Sequence, residues 1–171
     1  MAAGGRREPA AAVDRRSVEA YDRRVPSVQV ERSIDVPAAV VYRLIADFEN
    51  HHPRFLPPAF SELELESGGV GAGTVHRVTI RAAGRSQTYR MRVDEPEPGR
   101  VLTETQLDGP AVTTYTVDPE GQGSRVRLET EWAAAAGPSG IADRLLGPLF
   151  ARRLYADLLE RLDRYARDQA G

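Results

Sequence analysis

Apolar and polar residues alternate from Ser27 to Ile34, with Val28, Val30 and Ile34 on one side and Gln29, Glu31 and Ser33 on the other. A period of two is that of a strand with one buried face. The spacing then changes: Val40, Val41, Leu44, Ile45 and Phe48 recur every three or four residues, one face of a short helix. Asp35 is positioned to cap that helix and Pro37 to occupy its first turn, where a missing N–H costs nothing. Asn50 and Pro53 end it, and the prolines at 53, 57 and 58 leave room for at most one further helical turn. From Phe60 the period returns to two. Leu63 and Leu65 alternate with glutamates, and Gly68-Gly69-Val70-Gly71-Ala72-Gly73 then reads as a flexible hairpin connection. Further strands are predicted over about 74–81, 86–94, 101–107, 112–118 and 125–132. The breaks between them are Ala83-Gly84, Glu95 to Gly99, Asp108-Gly109-Pro110 and Asp118 to Gly123. Strands spaced this closely, with turns and no helix between them, form antiparallel hairpins.

After Trp132 and a stretch of small residues, a helix is predicted to about Asp168. Its apolar stripe is Ile141, Leu145, Leu149, Phe150, Leu154, Leu158, Leu162 and Tyr165. Asp157/Arg161, Glu160/Arg164 and Asp163/Arg167 are acid-before-base pairs one turn apart, the favourable order on a solvent face. Gly147-Pro148 predicts a kink or break. The pattern divides the chain into a flexible tail at 1–26, whose few large apolar groups do not offset its ordering entropy, one domain at 27–168, and a short tail at 169–171.

Composition narrows the chemistry more than it directs it. A formal net charge of −2 in 171 residues gives no basic field for nucleic acid or an anionic membrane. Every basic side chain is an arginine, to which no functional weight attaches. Cysteine is absent, which removes disulfides, thiolate metal sites and cysteine nucleophiles. No apolar run approaches the length of a membrane span, and charges interrupt the N-terminus before a signal-peptide core forms, so a cytoplasmic protein is expected. The glycine-rich segment at 69–73 leads into a strand, leaving no helix N-terminus to hold a phosphate.

The order strand, two helices, six antiparallel strands and long helix is that of the helix-grip fold. The residues from Val30 through Asp35-Val36-Pro37 to Tyr42, the helix exit Ala46-Asp47-Phe48-Glu49-Asn50 and the run Pro53 to Pro57 resemble the START-like (SRPBCC) superfamily. Within it they resemble the polyketide cyclase/dehydrase and lipid-transport group, as do Gly71-Ala72-Gly73-Thr74 and Gly123-Ser124-Arg125-Val126. The resemblance implies an α+β fold in which a curved seven-stranded antiparallel sheet wraps around a long C-terminal helix. It also implies a space between them that holds a hydrophobic ligand.

Within that frame the residues offer few reactive groups. His76 shares a strand face with Val78 and Ile80, and is either a hydrogen-bonded core histidine or, in a cavity, an acid or base near neutral pH. Tyr89 with Met91, and Tyr115 with Val117, suit a cavity wall or an ordinary core. Arg32 lies on the apolar face of the first strand, either at the sheet edge with its head in water or reaching inward to an acid or ligand oxygen. His52 is a surface-loop histidine or a contact at the pocket mouth. Alternation leaves open which face of 101–107 is inward; Glu104 belongs to solvent unless the cavity claims it, when burial would raise its pKa. The expected cavity wall is His52, Phe55, His76, Val78, Ile80, Tyr89, Met91, Tyr115, Val117, Phe150, Leu154 and Leu158. The histidine spacings match no metal-ligand pattern, so no metal and no cofactor are expected. The expected function is binding of a hydrophobic small molecule, as carrier or sensor. One alternative is a metal-free cyclase, aromatase or dehydratase using His76, Tyr89, Tyr115 and Arg32; another is an adaptor recruiting a partner through its N-terminal tail.

Overall fold

A computed structural model of the chain describes residues 27–82, 84–132 and 138–171. The predicted tail at 1–26 and the small-residue stretch at 133–137 lie outside the described residues. Strand β1 (Ser27–Ile34) is followed by helices α1 (Ala38–Ala46) and α2 (His52–Phe55). Strands β2 (Phe60–Ser67), β3 (Val75–Ala82), β4 (Arg85–Glu97), β5 (Val101–Gln106), β6 (Val112–Glu120) and β7 (Gly123–Glu131) come next, then helix α3 (Pro138–Ala170). The strands form one antiparallel sheet in the order β1-β7-β6-β5-β4-β3-β2. Each strand after β2 pairs with its predecessor, and β1 closes onto β7, so the two helices between β1 and β2 span the sheet from edge to edge. This is the helix-grip arrangement.

The inner face of the sheet is set by cross-strand register. One row runs Val93, Glu104, Thr113, Thr130 and Val28; the next runs Leu102, Tyr115, Leu128 and Val30. Val28, Val93, Leu102, Tyr115 and Leu128 of these rows are buried, and Ile45, Phe48 and Phe55 from α1 and α2 join the core beside Leu158, Leu159 and Leu162 of α3. Each such leucine contributes roughly 2 kcal/mol by leaving water.

Several local expectations change. Asp35 does not cap α1: the N-cap is Pro37, at φ −55° and ψ 140°, without a side-chain cap bond. Its carbonyl takes the amides of Val40 and Val41, so the helix starts one residue later than a Pro at the first helical position implies. The break expected at Glu95 is a continuation of β4, because the register shifts between Asp94 and Glu97 and a bulge there absorbs Pro96. Likewise Pro119 stays in β6, paired with Ser124, because β5 is already past its last partner, Val101 opposite Thr116. Helix α3 continues through Gly147-Pro148, since a proline removes one backbone bond while the flanking turns keep theirs; it also runs to Ala170, taking in most of the expected 169–171 tail.

The glycine-rich loop is pinned, not flexible. Gly69 carbonyl accepts Phe48 N–H at 2.8 Å, Gly71 N–H donates to Ala46 carbonyl at 2.8 Å and Gly73 N–H to Val93 carbonyl at 2.9 Å. Tyr42 hydroxyl donates to Glu95 at 2.6 Å, and the other Glu95 oxygen accepts Ala72 N–H at 2.9 Å. Gly71 has φ +63°, and a β-carbon there would run into the Glu95 carboxylate. Glycine is required by both conformation and close approach.

Candidate functional site

The approach to the site begins at Asp47, which ends α1. Its Oδ1 accepts the amides of Glu49 at 3.1 Å and Asn50 at 2.8 Å, an Asx turn that swings the chain into α2. This turn brings His52 under the sheet instead of onto a surface loop. His52 is 2 % exposed, its Nδ1–H donates to Ile45 carbonyl at 2.7 Å, and its ring stacks on Phe48 at 4.2 Å. Burial pushes the His52 pKa below 6.5, outweighing the nearby Glu104 charge and the Ile45 bond. The neutral ring is an interior group. His51, its neighbour, points the other way and shares a 2.8 Å hydrogen bond with Tyr165 hydroxyl.

At the centre lies a pair that spans β4. His76 of β3 and Glu104 of β5 meet at 3.0 Å between Nε2 and Oε2, and are 1 % and 7 % exposed. Glu104 therefore faces inward, and the inward face of β5 is the one carrying Leu102 and Glu104. Burial alone would raise the Glu104 pKa. The hydrogen bond from His76, the electrostatic pull of the His76 and His52 rings and the adjacent Tyr115 hydroxyl together hold it below the usual carboxylate range. The raised pKa expected for an inward Glu104 is thus reversed by its partners. Phe48 stacks on His76 as well, at 4.9 Å.

Among the described residues three buried side-chain polar atoms have no hydrogen-bond partner, His76 Nδ1, Ser124 Oγ and Arg127 Nε, and the first belongs to this cluster. An ionised carboxylate only accepts, so the proton of the shared bond sits on Nε2, and in the neutral ring Nδ1 is a bare acceptor. Buried polar atoms are almost always satisfied, so an open Nδ1 inside the cluster is a group able to take a hydrogen-bond donor.

Tyrosines and threonines extend the polar patch toward α3. Thr113 and Thr130 hydroxyls bond at 2.8 Å, and Thr130 donates to Tyr155 hydroxyl at 3.0 Å. Tyr115 has its pKa raised by burial and then by the Glu104 charge; Tyr155 is raised chiefly by burial. Both hydroxyls keep their protons and serve as neutral donors and acceptors.

Burial falls away along the strands from this centre. On β3, His76 and Val78 are buried while Ile80 is half-buried; on β4, Val93 and Met91 are buried, Tyr89 is half-buried and Gln87 exposed. Helix α3 grades the same way. Leu158, Leu159 and Leu162 are buried, Leu154 and Tyr155 half-buried, and Leu149 and Phe150 are 63 % and 44 % exposed. The interior is closed at the His76 end and loosens toward Tyr89 on the sheet and Leu154 on the helix.

Of the residues expected to wall a cavity, His52, Phe55, His76, Val78, Met91, Tyr115, Val117 and Leu158 are buried, and Ile80, Tyr89 and Leu154 are half-buried. It missed Tyr155, Thr113 and Thr130, and turned α3 slightly. Each four-residue step overshoots a helical turn by about 40°, so three steps carry Phe150 about 120° away from Leu162. Tyr155, Leu159 and Ala166 fill the face instead; their spacing of seven, three and four residues from Leu162 was the available signal. Arg32 does not join the cluster. It lies on the edge strand, with four strands between it and β3, its Nε 2.9 Å from Asp163 of α3 and its side chain 40 % exposed. Asp163, expected on the solvent face, is buried by this pairing and by Arg167 at 2.7 Å. A groove of about 410 Å³ lies along that edge, beside Val30, Arg32, Arg152 and Leu159. Another, of about 540 Å³, lies outside α1 against Tyr42, Asp47, His51, Val70 and Glu95. No group of three or more metal-ligating side chains occurs among the described residues.

The model of the polyketide cyclase / dehydrase and lipid transport family matches residues 25–167. The chain belongs to this family. It is 34 % identical over 70 residues to pathogenesis-related protein 2 of Petroselinum crispum, covering 40 % of this chain and 44 % of that one. It is 33 % identical over 107 residues to the granaticin polyketide synthase bifunctional cyclase/dehydratase of Streptomyces virginiae, covering 59 % and 34 %. The chain thus spans less than half the length of the curated relatives it matches. Among solved structures, the KanY protein superposes with a TM-score of 0.75 at 28 % identity, covering 84 % of this chain and 99 % of that one. For a member of this START-like family, the polar cluster occupies the face between sheet and C-terminal helix. No helix among the described residues is long and apolar enough to cross a membrane.

Proposed function

We propose that this protein binds a hydrophobic small molecule between the inner face of the sheet and α3, as a carrier or sensor. The observation that carries the reading is the unpartnered Nδ1 of His76 beside apolar walls that loosen toward Tyr89, Ile80 and Leu154. An apolar pocket with one or two directional polar groups is the usual composition of a small-molecule site. Family membership supports the same reading at the level of the fold and leaves the ligand open. The test is native mass spectrometry of the protein purified from its own cells, joined to displacement of an environment-sensitive dye. A co-purified apolar molecule that displaces the dye is expected; a protein that carries nothing and takes up neither dye nor ligand contradicts the reading.

A second reading has an observation of its own. His76 held by Glu104 is a base with an orienting carboxylate, and Tyr115 stands beside the same carboxylate. A metal-free cyclase or dehydratase would use His76 to move a proton on a substrate folded by the pocket, where positioning supplies much of the acceleration. The likeness to a cyclase/dehydratase favours this among enzymatic roles. Turnover of a poly-β-keto thioester that falls at least about a hundredfold in His76→Ala supports it. Unchanged turnover in His76→Ala and Tyr89→Phe removes these residues from the account.

A further inference from the structure

The charges of the interior say which polar group a ligand can bring. Of the inner-face residues that flank His76 and Glu104 (Val78, Met91, Val93, Leu102, Thr113 and Tyr115) none is an arginine, and Arg32 of β1 is engaged by Asp163. His52 gives its Nδ1–H to the Ile45 carbonyl and is buried. The fixed charge beside the free imidazole nitrogen is therefore negative, on Glu104, 3.0 Å from the same ring. A second anion brought into this low-dielectric space meets repulsion that water does not screen. A ligand carbonyl gains nothing from Nδ1, because two acceptors face each other. A hydroxyl hydrogen does, and it satisfies the buried Nδ1.

We propose that the interior selects uncharged apolar ligands bearing a hydroxyl donor, phenols and enols above all, held with that hydroxyl on His76 Nδ1, and that it rejects the matching carboxylates. This rests on the reading that the interior holds a ligand. It adds the ligand's chemical class, and it sets free fatty acids and aromatic acids outside the range. Glu104 acts here as a positioning and selecting residue: it fixes the imidazole proton on Nε2 and supplies the charge that turns anions away. His52 and Phe48 wall the ring without offering a cation.

Three probes of one size separate the possibilities: 1-naphthol, 1-methoxynaphthalene and 1-naphthoate, titrated into the full chain at pH 7.5 by calorimetry and dye displacement. The naphthol is expected to bind about tenfold more tightly than the methoxy compound, the worth of one well-made hydrogen bond, with the naphthoate weakest. In Glu104→Gln the naphthoate gains about tenfold as the repelling charge goes, while the methoxy compound is unmoved. Naphthoate binding as tightly as naphthol, or naphthol no better than its methyl ether, overturns the selection while leaving ligand binding standing. Failure of all three to bind overturns both. The comparison of probes on the unaltered protein holds even where a variant does not fold.

Discussion

Asp163 on α3 and Glu104 on β5 are both carboxylates drawn into the interior, and their surroundings differ. Asp163 takes Arg32 at 2.9 Å and Arg167 at 2.7 Å, two cations whose side chains are 40 % and 54 % exposed. Its charge is matched by groups that keep contact with water, and the bonds tie the edge strand and helix together. Glu104 takes one imidazole whose second nitrogen is left without a partner, and that imidazole is fully buried. A buried pair of this kind gains little stability over apolar residues of equal volume, because desolvation consumes most of the attraction. The first carboxylate is explained by architecture, and the second calls for a function.

The largest effect expected from breaking this contrast is on Glu104. Glu104→Leu leaves an imidazole with no partner at either nitrogen, and should cost about 1–3 kcal/mol in urea unfolding. Asp163→Asn should cost at most about 1 kcal/mol, since both guanidiniums already reach solvent, and it should leave probe binding unchanged. A loss larger for Asp163 than for Glu104 would reverse the comparison.

Acid titration sharpens it. His52 has a folded pKa below 6.5, so the unfolded chain binds the proton first. Stability is complete above about 6.5 and falls as the pH drops toward the folded value. Glu104, with its folded pKa below 4.5, adds stability that is present above about 4.5 and lost as the pH falls through the folded value. The melting temperature should therefore decline in two stages on acidification. In His52→Gln, whose amide can still donate to the Ile45 carbonyl, the upper stage should disappear and the lower stage remain. The smallest effect is expected from removing the pair entirely: His76→Phe combined with Glu104→Leu should lie within about 1 kcal/mol of the parent while losing its preference for naphthol.

Much of this arrangement was legible along the chain. Alternation in β1 and β3 placed Val28, Val30, His76 and Val78 on the inner face, because those strands carry most of their apolar residues on one side and arginine, threonine, glutamate or glutamine on the other. It failed on β5, where Val101, Thr103 and Thr105 oppose Leu102, Glu104 and Gln106, and both sides mix apolar with polar residues. The inward turn of Glu104 depends on its register opposite Val93 and on a histidine two strands away, information that no local window contains. His52 was hidden for a similar reason. A histidine beside a proline reads as loop until the Asp47 turn and the Ile45 carbonyl supply its place. The patch on α3 was within reach, since Tyr155 stands at helical spacing from Leu158, Leu159 and Leu162.

The central claim is that His76 Nδ1 is a free acceptor kept for a ligand hydroxyl. The most direct measurement is nitrogen NMR of the histidine-labelled protein, following the two ring nitrogens of His76 as 1-naphthol and then 1-methoxynaphthalene are added. The account predicts a proton on Nε2, a bare Nδ1 in the free protein, and an Nδ1 resonance that moves toward the hydrogen-bonded range with naphthol alone. A proton on Nδ1 in the free protein, or an Nδ1 resonance indifferent to naphthol at saturation, would contradict it.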